Sequence, residues 1–114
     1  DGTSYPCNNM KLLSFLTFES LGSTPMTIPA PPPQGSFTGI VGSDVWGYTD
    51  SKNNKLYGLT CQMDGSSIID VTNPSEPIPI AFIPSQVPMV PIIWRDIKTY
   101  KNYMYIGADF GGGS

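Results

Sequence analysis

The chain has 114 residues, 13% of them charged and 39% hydrophobic, with 12 Gly, 12 Pro and a formal net charge of −3. That length allows one domain at most, or a small core with an appended arm. Lys11, Lys52, Lys55, Arg95, Lys98 and Lys101 are scattered and form no dense basic face, which argues against nucleic-acid binding; no apolar run approaches the roughly 20 residues that a membrane helix needs.

Aromatic residues make up 11% of the chain. So many large side chains need burial, which argues against full disorder. The low charge and high Gly and Pro content point to a β-rich body with Pro-rich irregular connections. The chain opens Asp-Gly-Thr-Ser, which is compatible with a cleaved presequence. Cys7 and Cys61 are its two cysteines. In a small, loop-rich, charge-poor chain they fit a secreted disulfide, worth about 4 kcal/mol in the chain-entropy model. The alternative is two buried thiols. With no His and no CxxC, tetrahedral zinc has too few soft ligands.

In chain order, KLLSFLTFESL at 11–21 is the first structured segment. Neither of its faces is purely polar, so it reads as a strand buried on both sides or as a short helix. The missing N-cap and the Phe and Thr content favour the strand. GSTPMTIPAPPPQGSFTG at 22–39 contains five prolines, Pro25, Pro29, Pro31, Pro32 and Pro33. Proline removes backbone donors and fixes φ, so this stretch reads as a polyproline-like connector with no sheet strand. It either carries the N-terminal strand away from the body or hugs its own domain as a surface loop.

From Ile40 the pattern becomes β. VGSDVWGYT, LYGLTCQ, SSIIDVT and IPIAFIP are four short strands, separated by the turns DSKNNK, MDG and NPSEP. Pro79 and Pro84 make the fourth an edge strand, since proline cannot donate to a ladder. The Pro-spaced connection SQVPMVPII follows. WRDIKTY, a turn at Lys101-Asn102 and YMYIGAD then form a further hairpin.

The two hairpins resemble each other at a spacing of about 50 residues, the period of a four-stranded propeller blade. Asp44 matches Asp96, Val45 matches Ile97, Tyr48 matches Tyr100 and Tyr57 matches Tyr105. NNKLYGLTCQMDGSSIIDVTNPSEP resembles the LVIVD-type propeller repeat. WRDIKTYKNYMYIG, SDVWGYTD and YPCNNMKLLSFLTF resemble segments of the choice-of-anchor B proteins, extracellular members of that group. The resemblance implies an extracellular β-sheet protein, with Cys7 and Cys61 where the family plausibly pairs them. It carries no settled activity. Family members are long enough to close a ring of blades, and this chain is not. The expected fold is therefore all-β: antiparallel sheets resembling one and a half propeller blades, with an N-terminal extended strand on a Pro-rich tether. The expected division is an arm at 1–22, a Pro-rich linker at 23–39 and a body at 40–114, with a repeat at 43–85 and a half repeat at 94–114.

No catalytic constellation is visible, so the chain does not read as an enzyme and implies no cofactor. There is no His to serve as general base, no G-x-S-x-G elbow, and no Lys-Ser/Thr after the terminal glycines. Arg95 and Asp96 alternate along a strand and do not share a face. Asp50, Asp64, Asp70, Asp96 and Asp109 form no D-x-[DN]-x-[DN]-G calcium loop. Tyr48, Tyr57, Tyr100, Tyr103, Tyr105, Trp46 and Trp94 read as cross-strand packing, with a carbohydrate-stacking surface as the minority reading. Asn73-Pro74-Ser75 fails as an N-glycosylation acceptor because of its proline. Ser23, Thr24, Thr27, Pro31, Pro32 and Pro33 are candidates for O-linked glycans after hydroxyl recognition or proline hydroxylation.

The functional expectation rests on the unfinished second repeat. An unpaired strand edge is a template for another chain. Residues Tyr103, Met104, Tyr105, Ile106 and Gly107 are the expected acceptor edge. Lys11, Leu12, Leu13, Phe15, Leu16 and Phe18 of a neighbouring copy are the expected donor strand. The chain would then be a self-assembling extracellular structural protein whose partner is itself. The competing readings are a glycan- or protein-binding β module, and a fragment of a longer propeller.

Overall fold

The computed structural model describes residues 6–30, 33–87 and 90–109. These residues form antiparallel sheets, with a single 3-10 turn at Glu19–Leu21 as their helical element. The all-β expectation is met.

The body begins with a meander of β3 (Gly42–Asp50), β4 (Lys55–Gln62), β5 (Gly65–Asp70) and β6 (Ile78–Pro84), each paired antiparallel with the next. Short polar side chains build its turns. After β3, Asp50 accepts from the N–H groups of Lys52 and Asn53 and from Asn53 Nδ2, and Asn54 takes a left-handed φ of 54°. After β5, Asp70 accepts from Thr72 N–H and Asn73 accepts from Ser75 N–H. β6 lies at the sheet edge, as Pro79 and Pro84 require. A register shift between Ile68 and Ile69 bends the β5–β6 ladder beside Pro79. β7 (Arg95–Tyr100) and β8 (Tyr103–Ala108) form a separate hairpin around Lys101-Asn102.

The core sits between the meander and this hairpin. Leu59, Cys61 and Ile97 are buried there, with Tyr48, Tyr57, Ile68, Met104 and Ile106 packed around them. Strand alternation selects these residues. Arg95 and Ile97 of β7 point inwards while Asp96 and Lys98 point out. In β8, Met104 and Ile106 point inwards while Tyr103 and Tyr105 point out.

The Pro-rich stretch departs from expectation. It holds a two-stranded antiparallel pair, β1 (Met26–Ile28) with β2 (Phe37–Gly39), in register Thr27↔Thr38. Pro25 and Pro29 bracket β1 without entering it, so all three of its residues keep their N–H donors. The stretch also does not hold the arm away from the body. Asp64 accepts from Ser23 Oγ, from Thr24 N–H at 2.7 Å and from Thr24 Oγ1. Leu21 is buried, and its carbonyl accepts from Ser67 Oγ.

Residues 11–17 are not a sheet strand in this chain. They run across the body and end in the 3-10 turn, which Gly22 closes at a φ of 95°. Two glycines permit this close approach. A Cβ at Gly22 would fall 2.8 Å from Phe82 Cβ, and one at Gly42 would fall 2.7 Å from the Phe18 ring. The arm thus covers Gly42 with an aromatic ring in place of pairing along a ladder.

The repeat alignment also needs correction. Tyr57 lies opposite Tyr48, whereas Tyr103 lies opposite Tyr100 and Tyr105 lies opposite Lys98. By register, Tyr103 is therefore the counterpart of Tyr57. The shorter second turn shifts the match by one alternation.

Candidate functional site: a strand edge and a docked arm

β7 has its outer edge occupied by side chains of β3. Ser43 Oγ donates to Arg95 O at 3.1 Å and accepts from Arg95 N–H at 3.3 Å. Asp44 Oδ2 accepts from Ile97 N–H at 3.0 Å and from Lys98 Nζ at 2.8 Å. Trp46 Nε1 donates to Thr99 Oγ1. The backbone donors of Arg95 and Ile97 therefore face β3, away from β8.

Antiparallel pairing then dictates what β8 presents. The Asp109 N–H donates to Trp94 O at 3.0 Å. Trp94 and Asp109 are in line with the bonded pairs Asp96↔Gly107, Lys98↔Tyr105 and Tyr100↔Tyr103. The intervening residues Met104, Ile106 and Ala108 direct their N–H and C=O groups to the opposite side. Among the described residues β8 pairs only with β7, so that side is an open edge. It carries no proline and no charge from Tyr103 to Ala108. Tyr103 and Tyr105 beside it are 67% and 56% exposed. The β6 edge also bears exposed Ile78 and Ile80, but Pro79 and Pro84 blunt it.

The donor candidates lie on the docked arm. Leu12, Leu13 and Phe15 are exposed, and Leu16 and Phe18 are half-buried. Ser14 Oγ donates to Pro74 O at 2.7 Å. Acceptor edge and donor segment are therefore not joined within one chain.

Cys61 is a free thiol, buried, with Ser66 Oγ donating to its sulfur at 3.4 Å. The expected Cys7–Cys61 disulfide is not formed. The physical reason is placement: Cys61 belongs to the core between the two sheets, while Cys7 is exposed. Burial raises the Cys61 thiol above its ordinary value, which keeps it protonated and unreactive near neutrality. Iodoacetamide is expected to leave the Cys61 peptide unmodified in the native chain and to alkylate it in urea, as read by peptide mass.

The glycosylation candidates separate. Ser23 is only 3% exposed and its hydroxyl is given to Asp64, so it is a structural anchor and not an accessible acceptor. Thr24 and Thr27 are exposed, the latter bonded to Thr38 Oγ1. Pro33 is exposed, and Pro31 and Pro32 lie outside the described residues.

The carboxylates serve the backbone. Asp44 is lowered to about 2, first by the hydrogen bond from Lys98 and then by the N–H groups of Ile97 and Val45. Asp70 is lowered to about 2 by Lys55 and then by Thr72. Both are depressed in the folded state, so their stabilisation is full above about pH 4, the ordinary carboxylate value, and is lost as pH falls towards 2. Scanning calorimetry is expected to show the midpoint falling from pH 4 to pH 2, with a shallower fall in Asp44→Asn. Among the described residues, no three His, Cys, Asp or Glu side chains converge on a possible metal site.

The aromatic surface is partly used up. Lys98 Nζ sits 4.5 Å from the Trp46 ring centre, so that face is covered. Tyr48 and Tyr57 stack at 6.3 Å between centroids and, with Tyr103, Leu59, Ile68, Ile80 and Met104, line a cleft of about 280 Å³.

Sequence reasoning missed three residues. Asp44 ties β3 to β7, Asp64 anchors the arm, and Arg95 is buried. For Arg95 a signal existed: it shares the i, i+2 face with Ile97. The Asp44 and Asp64 contacts span 53 and 40 residues, and nothing local encodes them.

Comparison with known protein families, curated proteins and solved structures finds no match to this chain. Among the described residues, no helix is long and apolar enough to cross a membrane.

Proposed function

We propose that this chain is an extracellular structural protein that self-assembles by β-strand complementation, with residues 11–18 of one copy adding to the β8 edge of the next. The observation that carries this reading is the open β8 edge, which has no proline, no charge and three outward-facing backbone positions. Natural proteins normally blunt such an edge, as this one does at β6 with proline and at β7 with side chains of β3.

Exchange of the arm trades one set of contacts for another. In its own chain, residues 11–18 are held by the Ser14 hydrogen bond, by hydrogen bonds to Thr17 and to the Phe18 carbonyl, by the half-buried Leu16 and by the Phe18 ring over Gly42. Detaching them forfeits those hydrogen bonds at about 0.5–1.5 kcal/mol each, together with the partial burial. Pairing along β8 gains several ladder hydrogen bonds at about 0.5–1.5 kcal/mol each, together with apolar contact for the exposed Leu12 and Leu13. Donor and acceptor surfaces differ, so the contact is heterologous and repeats into a filament unless it closes a ring. On the LVIVD-type blade resemblance, a third strand would lie on the β8 edge. Glycans on Thr24, Thr27 or the prolines would stiffen and solubilise the connector.

Light scattering and electron microscopy of the purified chain test this: regular fibres or rings support it, and a stable monomer at micromolar to millimolar concentration sinks it. A second reading, a glycan- or protein-binding module, is favoured only by the tyrosine-lined cleft.

A further inference from the structure

We propose that the cleft beside Arg95 is a binding site for a small organic monocarboxylate, a role separate from strand exchange. Arg95 is 8% exposed, and a guanidinium stays charged at any physiological pH. A positive charge so buried needs an anionic partner or hydrogen-bond acceptors to offset its lost hydration. The ion pairs among the described residues are Lys55–Asp70 and Lys98–Asp44, and neither involves Arg95. Its Nη2 donates to Ser85 Oγ at 2.8 Å, while its Nε is buried with no hydrogen-bond partner among the described residues.

The orphaned charge borders a cleft of about 310 Å³, which is in the range of small-molecule sites. Ser85 Oγ already accepts from Arg95 Nη2 and from Val87 N–H, so its own O–H remains to donate. Arg95 and Ser85 both line the cleft, and a guanidinium beside a hydroxyl suits a planar carboxylate, the usual partner of arginine. Ile83, Val87, Ile92 and Ile106 supply apolar walls. Those walls fit an apolar body behind the charged group, and a single arginine matches a single negative charge. A phosphate dianion would leave charge unbalanced against isoleucine.

The test is titration of the full chain with benzoate, followed by calorimetry and by the Arg95 Nε–H resonance. Benzoate is expected to shift that resonance and to bind at least about tenfold more tightly than neutral benzamide or inorganic phosphate. Arg95→Lys, which keeps the charge but loses the planar fork, is expected to weaken benzoate about tenfold. Arg95→Met is expected to abolish binding. Because Arg95→Met risks misfolding, the benzoate–benzamide ratio on the unaltered chain stands as an independent measure. The proposal is overturned by benzamide or phosphate matching benzoate, by an unmoved Nε–H signal, or by absence of benzoate binding at millimolar concentration.

Discussion

Leu13→Pro is expected to give a chain that folds normally and does not assemble. Residue 13 lies in a segment with no ladder pairing in its own chain and its side chain is exposed, so proline there removes no donor from the monomer's sheets. In the joined state the same residue would sit mid-strand, where proline deletes a ladder bond and clashes with the neighbouring strand. The expected result is unchanged circular dichroism and melting temperature, with assembly reduced by an order of magnitude or more in light scattering. Ala108→Pro probes the other partner. Ala108 directs its N–H to the open edge, so the β7–β8 ladder keeps its bonds and the docking surface loses one. Fibres of normal yield from both variants would exclude the β8 joint.

The second large effect is on stability. Ile97→Ala is expected to cost about 2–5 kcal/mol, against the roughly 5–15 kcal/mol that holds a domain together. Ile97 is wholly buried and is the β7 member of the three-residue central cluster with Leu59 and Cys61. Its removal opens a cavity where the hairpin meets the meander, and its neighbours are held in ladders that limit collapse. Urea denaturation reads the loss as a lower midpoint. A control at Tyr105, which is exposed on the outer face of β8, is expected to change stability little. An Ile97→Ala chain as stable as its parent would mean that the hairpin is not packed on the meander as described.

Much of the sheet was legible because its encoding is local. Each strand of the body alternates or carries β-branched and aromatic residues, and each is bounded by Asn, Asp, Gly or Pro with defined turn chemistry. DSKNNK and NPSEP build their turns from side chains two or three residues away, so the sequence announces them. Pro79 and Pro84 announce an edge for the same reason. The Pro-rich connector was misread because proline density was averaged over the stretch, while strand formation at Met26–Ile28 depends on which positions lack proline. The arm was misread because apolar content specifies burial without specifying the partner. Phe18 found the space above Gly42, which no local pattern shows.

The sequence by itself determined the strands of the body from Gly42 onward, the blunted β6 edge and the absence of histidine. Those properties follow from residue type and spacing within ten or so positions. Tertiary structure alone decided that Cys61 is buried as a thiol, that Asp44 joins β3 to β7, that Ser23 is an anchor, and that Arg95 lies buried with no carboxylate paired to it among the described residues. Each of these depends on contacts between residues distant along the chain, where packing geometry and the need to satisfy buried polar groups select the partner.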